Sequence, residues 1–332
     1  GYMNNAGYPD VRDAIAKDLD RRHGLALTAD NIIMTVGAAG AINIVMKAVL
    51  DPGDDVVVFR PYFGEYRSYA SNWYANVVEV DPLVPGFQPD LEDLERKLTP
   101  RTKLVLINNP CNPTGVVYSE QTLRGIAAVL ERKQQEYGHE IYLFSDEPYR
   151  EIVYDGGQVP YLTKYYANTF VGYSFSKTLS VPGERIGYLV VSPEMAGAAE
   201  MANAVTVANR VCGFINAPSL LQKAVARCLD ETCDLAFYDR NRTRLYGGLT
   251  GLGFECVKPE GTFYLFVKSP VADENEFVAR AKTYGLVLVA GSTFAWPGYV
   301  RLAYCVQPEV IEKSLPQFAR LAADYGLTAA QA

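Results

Sequence analysis

The chain has 332 residues, of which 49% are hydrophobic and 21% are charged, a composition typical of a globular protein that can bury a large core. Its formal net charge of −7 argues against nucleic acid and anionic membranes as partners, and no apolar run is long enough to span a bilayer. Six dispersed cysteines without a CxxC pair, together with two histidines, argue against a metal site and favour reduced thiols in a cytoplasmic protein.

Short apolar runs alternate with helical patterns through the first part of the chain. The first helix is predicted to begin near Pro9 and to end before Gly24. Further helices are predicted at 38–50, 63–74 and 91–98, and strands at 31–36, 56–59, 77–80, 103–107, 141–145 and 169–173. This alternation predicts an α/β fold with a mostly parallel sheet covered by helices.

The pattern becomes mainly helical after Pro193 and then mixed. Helices are predicted at 198–211, 217–229 and 232–249, followed by strands at 254–257, 262–267, 287–290 and 299–305 and helices at 274–284 and 309–325. We therefore predict a large domain over residues 1–236 and a smaller α+β C-terminal domain over residues 237–332. A long helix near 232–250 would join the two.

Polar and aromatic residues follow several of the predicted strands. Ligands of parallel sheets gather at the carboxyl ends of the strands, and these ends are neighbours in space. We therefore expect one site to be formed by Phe63, Asn112, Asp146, Tyr149, Ser174 and Lys177. Plainer interpretations exist for single members: Asn112 as a turn former, Asp146 as a helix cap and Phe63 as a core residue.

Lys177 follows a predicted buried strand, and poor solvation there would lower the pKa of its amine. A neutral amine is a nucleophile that forms Schiff bases with carbonyl compounds. Ser174, Ser176 and Arg185 offer hydroxyl donors and a bidentate fork that suit a phosphate. The small residues at 37–40 open a predicted helix and could let backbone N–H groups approach an anion. The alternatives are a strand-end lysine beside a surface salt bridge and a tight strand-to-helix packing site.

Three motifs in this order resemble the pyridoxal-phosphate (PLP) aminotransferases of fold type I, class I/II, of the aspartate aminotransferase kind. They are Asn109-Pro-Cys-Asn-Pro-Thr-Gly115, Ser145-Asp-Glu-Pro-Tyr149, and Ser174-Phe-Ser-Lys177 followed by Arg185. Matching positions run from Tyr2 to Arg301, so the resemblance covers nearly the whole chain.

The resemblance implies a role for each residue that would contact the cofactor ring. Lys177 would bind PLP as an aldimine and later move the proton between the substrate Cα and the cofactor. Asp146 would pair with the pyridine nitrogen and keep it protonated. Tyr149 and Asn112 would hydrogen-bond the phenolic oxygen of the ring, and Phe63 would stack on the ring face.

The same resemblance implies residues for the phosphate and for the substrate. The phosphate would be bound by Gly37, Ala38, Ala39, Ser174, Ser176 and Arg185. Tyr2 would reach the phosphate of the neighbouring subunit, which implies a homodimer with shared active sites. Arg301, together with Asn112, would bind the α-carboxylate of the amino acid through a bidentate contact.

The function implied is transfer of an amino group between an L-amino acid and a 2-oxo acid. A PLP-dependent β-eliminating lyase acting on cysteine-type substrates and a non-catalytic aminotransferase-like module are the alternatives. Two departures from the family stand out. The family has further elements before Tyr2, including a segment that covers the substrate. Some aspartate-using relatives carry a lysine where this chain has Ala39, so the preferred amino acid stays open.

Overall fold

The computed structural model describes residues 2–328. The helices are α1 (Pro9–His23), α2 (Gly37–Val49), α3 (Glu65–Ser71), α4 (Leu91–Lys97), α5 (Glu120–Tyr137), α6 (Phe175–Thr178), α7 (Ala198–Val211), α8 (Ser219–Val225), α9 (Leu235–Gly251), α10 (Glu274–Thr283) and α11 (Pro308–Asp324). The strands are β1 (Ile32–Thr35), β2 (Asp55–Phe59), β3 (Asn76–Val80), β4 (Pro82–Leu83), β5 (Gln88–Pro89), β6 (Thr102–Asn108), β7 (Tyr142–Asp146), β8 (Thr169–Ser174), β9 (Gly187–Val191), β10 (Cys256–Val257), β11 (Tyr264–Lys268), β12 (Val289–Ala290) and β13 (Tyr299–Ala303). Short 3₁₀ turns lie at Ala29–Asn31, Leu162–Lys164, Pro182–Glu184 and Gly291–Phe294.

A seven-stranded sheet forms the centre of the fold, in the order β1-β9-β8-β7-β6-β2-β3. Strands β3, β2, β6, β7 and β8 pair in parallel, whereas β9 is antiparallel to both of its neighbours. The predicted α/β fold with a mostly parallel sheet is therefore confirmed. Strand β9 was not predicted, although its sequence Gly-Tyr-Leu-Val-Val is apolar and fully buried.

Both faces of this sheet are covered, because successive strand residues point to opposite sides. Val56 and Val58 pack with α2, α3 and α7 on one face. Val57 and Phe59 pack with α1, α4 and α5 on the other. Helix α5 was not predicted, although Ser119 caps its start and Gly138 ends it in a left-handed conformation with φ of 73°.

The C-terminal part contains a separate four-stranded antiparallel sheet in the order β10-β11-β13-β12, which packs against α9, α10 and α11. Its hydrophobic cluster also includes Tyr149, Ile152 and Tyr154. The predicted helix at 217–229 is shorter than expected, since α8 covers only Ser219–Val225. The division at residues 236 and 237 stays a prediction.

The register of the parallel strands aligns the segments that follow them. Asn108 at the end of β6 pairs with Asp146 at the end of β7, and Asp146 pairs with Gly172 of β8. The loops after these three strands therefore meet at one edge of the sheet. Within residues 2–328, no helix has the length and hydrophobicity needed to cross a membrane.

Candidate active site

A cavity of about 350 Å³ lies at this carboxyl edge of the sheet. Eleven predicted site residues line it: Ala38, Ala39, Phe63, Asn112, Asp146, Tyr149, Ser174, Ser176, Lys177, Arg185 and Arg301. Six further residues line it that the sequence analysis did not name: Ile42, Tyr69, Asn108, Pro148, Pro182 and Tyr264. Residues from β6, β7, β8 and the C-terminal sheet thus converge on one space.

Lys177 lies in the short helix α6, directly after β8. Its side chain is half-buried, and this burial lowers the pKa of its amine, with the positive charges of Arg185 and Arg301 acting in the same direction. The nearby thiol of Cys305 acts in the opposite direction. The predicted shift towards a neutral, nucleophilic amine therefore agrees with its surroundings.

Asp146 is the last residue of β7 and is buried. Its Oδ2 accepts a hydrogen bond of 2.6 Å from the hydroxyl of Tyr66, while its Oδ1 is buried without a partner. Burial raises the pKa of the carboxyl to about 7, the charge of Glu147 adds to this, and the Tyr66 hydrogen bond opposes it. A buried oxygen without a partner is costly, so this atom calls for a donor in the cavity.

Arg301 in β13 connects the C-terminal sheet to the loop after β6. Its Nη1 donates to Oδ1 of Asn112 at 2.9 Å, and the backbone N–H of Asn112 donates to Oδ1 of Asn108 at 2.7 Å. The guanidinium lies 4.1 Å from the ring centroid of Tyr264 and 4.6 Å from that of Phe294. These contacts fix a planar cation in the cavity wall, which is the geometry that a carboxylate needs for bidentate binding.

The hydroxyl of Tyr149 donates to the hydroxyl of Tyr264 at 3.3 Å. Burial raises the pKa of Tyr149 well above its ordinary value, so the phenol is neutral and retains its proton. Phe63 lines the same cavity and makes an edge-to-face contact with Tyr66, with ring centroids 5.8 Å apart. Both aromatic side chains are therefore placed beside the space that a planar ligand would fill.

A group of donors suited to an anion lies at the start of α2. Ser174 Oγ donates to Ser176 Oγ at 2.8 Å, and Arg185 Nη1 donates to Ser176 Oγ at 3.4 Å. Gly37 is the first residue of α2 and has a φ of +79°, and a Cβ there would lie 2.8 Å from Arg185 Nη2. A side chain at Gly37 would therefore push the guanidinium away from the helix N-terminus.

Two predicted residues do not line the cavity. Gly37 lies just behind Arg185, as its close approach shows. Tyr2 is 97% exposed. The role predicted for Tyr2 is a contact with the phosphate site of a neighbouring subunit, and it stays a prediction.

The sequence analysis missed Tyr66, Asn108 and Tyr264. Tyr66 follows Phe63 by three residues within the predicted helix 63–74, a spacing that could have placed its ring beside the same site. Asn108 precedes the Asn109-Pro step and could have been grouped with the motif. Tyr264 carries no such signal, because it reaches the cavity from a different sheet.

The cavity fits PLP, the cofactor that the motifs imply. Asp146 Oδ1 would meet the ring nitrogen, Lys177 would supply the amine, and the donors around Ser174, Ser176 and Arg185 would hold the phosphate. Phe63 would lie against the ring. Among residues 2–328, no group of three or more His, Cys, Asp or Glu side chains is arranged to hold a metal ion.

Comparison with known proteins gives the same family. Residues 1–317 match the family described as aminotransferase class I and II. The chain is 35% identical to the aspartate/prephenate aminotransferase of Thermus thermophilus over 96% of its own length and 83% of the relative's. An aminotransferase structure from Eubacterium rectale has a TM-score of 0.96 and 44% identity, with 98% of this chain and 82% of that one covered.

A second solved structure, the aspartate aminotransferase of Thermus thermophilus with maleate, has a TM-score of 0.87 and 32% identity, and the match covers 97% of this chain and 84% of that one. These relatives are aminotransferases, which supports amino-group transfer and not the lyase or the non-catalytic module. The chain belongs to the class I and II aminotransferases and is a PLP-dependent enzyme that transfers an amino group between an amino acid and a 2-oxo acid.

Proposed function

We propose that the cavity at the carboxyl edge of the sheet is the site of this amino-group transfer, with Lys177, Asp146 and Arg301 as its central residues. The observation that supports this most directly is the buried Oδ1 of Asp146, which has no partner and shares a cavity with the Lys177 amine. A carboxylate and a nucleophilic amine, each poorly solvated, are an arrangement suited to proton transfer.

Each residue acts at a defined atom. PLP, when bound, supplies an electron-withdrawing ring that makes the Cα–H bond of the amino acid acidic. Asp146 would hold the ring nitrogen through its Oδ1 and stabilise a positive charge there. Arg301 binds the α-carboxylate and orients the Cα–H bond. Lys177 would then take the Cα proton, and the lowered pKa of its amine favours the neutral form that a base requires.

A half-reaction screen tests this proposal. Each L-amino acid is added to the PLP-loaded enzyme without any 2-oxo acid, and loss of the cofactor's visible absorption is followed. We expect at least one amino acid to abolish the band with stoichiometric release of its 2-oxo acid, and pyruvate plus ammonia to be absent. Multiple turnovers of an amino acid without an acceptor would contradict the proposal.

We propose further that the active unit is a homodimer. Val207 and Val211 share one face of α7 and are 59% and 62% exposed. An exposed apolar face of this kind supports an interface in which a second subunit covers it. The N-terminal segment lies near the residues that follow α7, since Asn5 Nδ2 donates to Ile215 O at 3.1 Å. Tyr2 is exposed three residues before Asn5, which leaves it accessible to a second copy of the chain.

Mixing two variants tests whether the sites are shared. Tyr2→Phe alone is expected to weaken PLP binding about tenfold by removing one hydrogen bond to a charged group. Lys177→Ala alone is expected to be inactive. In a mixed dimer one site carries both changes and the other carries neither, so we expect about half of wild-type activity and one site with normal PLP affinity. If the site with the intact lysine shows the weakened PLP affinity of the Tyr2→Phe variant, Tyr2 acts within its own subunit.

The domain division and the location in the cell are also proposals. The separate four-stranded sheet and its own hydrophobic cluster support a large domain at 1–236 and a small domain at 237–332. None of the six cysteines forms a disulfide within the part of the chain that the structure describes, which supports a cytoplasmic protein.

A further inference from the structure

A second cavity, of about 330 Å³, adjoins the first at Arg301 and Phe63, which line both. We call it the side cavity. Its remaining lining residues are Gly64, Glu65, Ser68, Val289, Thr293 and Phe294. It lies between the start of α3 and the turn Gly291–Phe294 of the C-terminal part.

The contacts proposed for the amino acid indicate which part of the substrate would lie in the side cavity. With the α-carboxylate on Arg301 and the α-amino group near Lys177, the remaining substituent at Cα must extend into space that borders Arg301. Most of the residues proposed to hold the cofactor line the first cavity. The side cavity is the adjoining space, so it is where the substrate's side chain would lie.

Its walls are held in place by backbone contacts. The N–H of Tyr62 donates to Phe294 O at 3.1 Å, and a Cβ on Gly64 would lie 2.8 Å from Thr293 O. The buried carboxylate of Glu274 accepts hydrogen bonds from the N–H groups of Ser292 at 3.1 Å and Gly298 at 3.0 Å. These contacts fix the backbone on both sides of the side cavity.

Charge distinguishes this cavity from a site for two carboxylates. Among its described lining residues, the charged side chains are Arg301 and Glu65. Arg301 would already bind the α-carboxylate. Position 39 in α2, where some aspartate-using relatives are expected to carry a lysine, is an alanine in this chain. A second carboxylate would therefore meet the Glu65 charge, with two hydroxyls and apolar walls as its other neighbours.

We propose that the side cavity binds the substrate's side chain and that Glu65 excludes a second carboxylate, so that the preferred amino donors are amino acids without a side-chain carboxylate. This rests on the proposed function. It sets the chain apart from its relatives with aspartate in their names, one of which was solved with maleate, a dicarboxylate. Glu65 is exposed, so its repulsion of a second carboxylate acts partly through solvent and is weakened by salt.

Substrates that differ only in charge give the sharpest test. The half-reaction of the PLP-loaded enzyme is compared for asparagine against aspartate and for glutamine against glutamate. We expect kcat/KM to favour the amide in both pairs, and Glu65→Gln to reduce that preference about tenfold. Glu276→Gln removes a similar exposed charge on α10, lines neither cavity, and should leave the preference unchanged.

A binding measurement provides a readout apart from turnover. Calorimetry compares succinate with its monoamide, succinamate, on the same loaded enzyme. Glu65→Gln is expected to lower the Kd for succinate about tenfold and to leave the Kd for succinamate unchanged. In the wild type, added salt should reduce the difference between the two Kd values. The inference would be overturned if the wild type preferred aspartate to asparagine or succinate to succinamate, or if Glu65→Gln left these preferences unchanged. If no amino acid reacts at all, the proposed function fails. The ratio of the Kd values for succinate and succinamate still tests the role of Glu65 in that case.

Discussion

Replacing Lys177 by alanine is expected to leave a folded protein that binds PLP but can no longer be fixed to it by borohydride. The phosphate contacts at Ser174, Ser176 and Arg185 are separate from the lysine amine, so cofactor content should fall only moderately. Amino-group transfer should fall by at least about a thousandfold, because both the covalent attachment and the base at Cα are lost. Borohydride reduction followed by peptide mapping measures the first effect directly.

Lys164→Ala is the matched control for this change. Lys164 is exposed in the turn Leu162–Lys164 and does not line the cavity. We expect this variant to keep both reducible attachment and activity. Recovery of the reduced cofactor on Lys164 or Lys103 of the wild-type enzyme, in place of Lys177, would show that the nucleophile is misassigned.

The parts of the site predicted from sequence share a physical origin. Asn112 and Lys177 follow buried strands and Asp146 ends one. Parallel strands bring their carboxyl ends together whatever the rest of the fold does. Local order along the chain was therefore enough to group them. The structure places all three around one cavity.

The parts that sequence did not predict depend on contacts between distant segments. Tyr149 and Tyr264 lie 115 positions apart and meet only when the C-terminal sheet docks on the large one. Tyr66 and Asp146 are 80 positions apart. Strand β9 was hidden for another reason, since its antiparallel entry between β1 and β8 breaks the alternating pattern on which the strand prediction relied.

Asp146→Asn is expected to keep PLP but to lose about a thousandfold in turnover. An amide of the same shape still fills the position, so the cavity and the phosphate contacts should persist. It carries no negative charge, however, and cannot hold the ring nitrogen protonated as a carboxylate can. Single-turnover half-reactions, with PLP content measured separately, distinguish a chemical defect from a binding defect.

The same variant has an effect on the protein without cofactor. Burial raises the pKa of Asp146 from an ordinary 3.8 to about 7, so the folded state favours the protonated acid. Its stabilising contribution is therefore fully present below about pH 4 and is lost as the pH rises through about 7. Asp146→Asn has no carboxyl at this position and therefore lacks this pH-dependent contribution to stability. We expect the Tm of the wild type, relative to the variant, to fall between pH 4.5 and pH 7.5.

Tyr66→Phe separates the hydrogen bond from the charge. It removes the 2.6 Å contact to Oδ2 and leaves the carboxylate in place. Because that hydrogen bond lowers the pKa of Asp146, its loss should raise the pKa further and extend the stability difference to higher pH. Turnover should fall only about tenfold, since the carboxylate that meets the ring nitrogen is retained. Asp146→Asn removes the charge and keeps an oxygen that can accept from Tyr66, whereas Tyr66→Phe removes the hydrogen bond and keeps the charge. A near-normal rate for Asp146→Asn, or an equal loss in both variants, would therefore contradict the role of the charge.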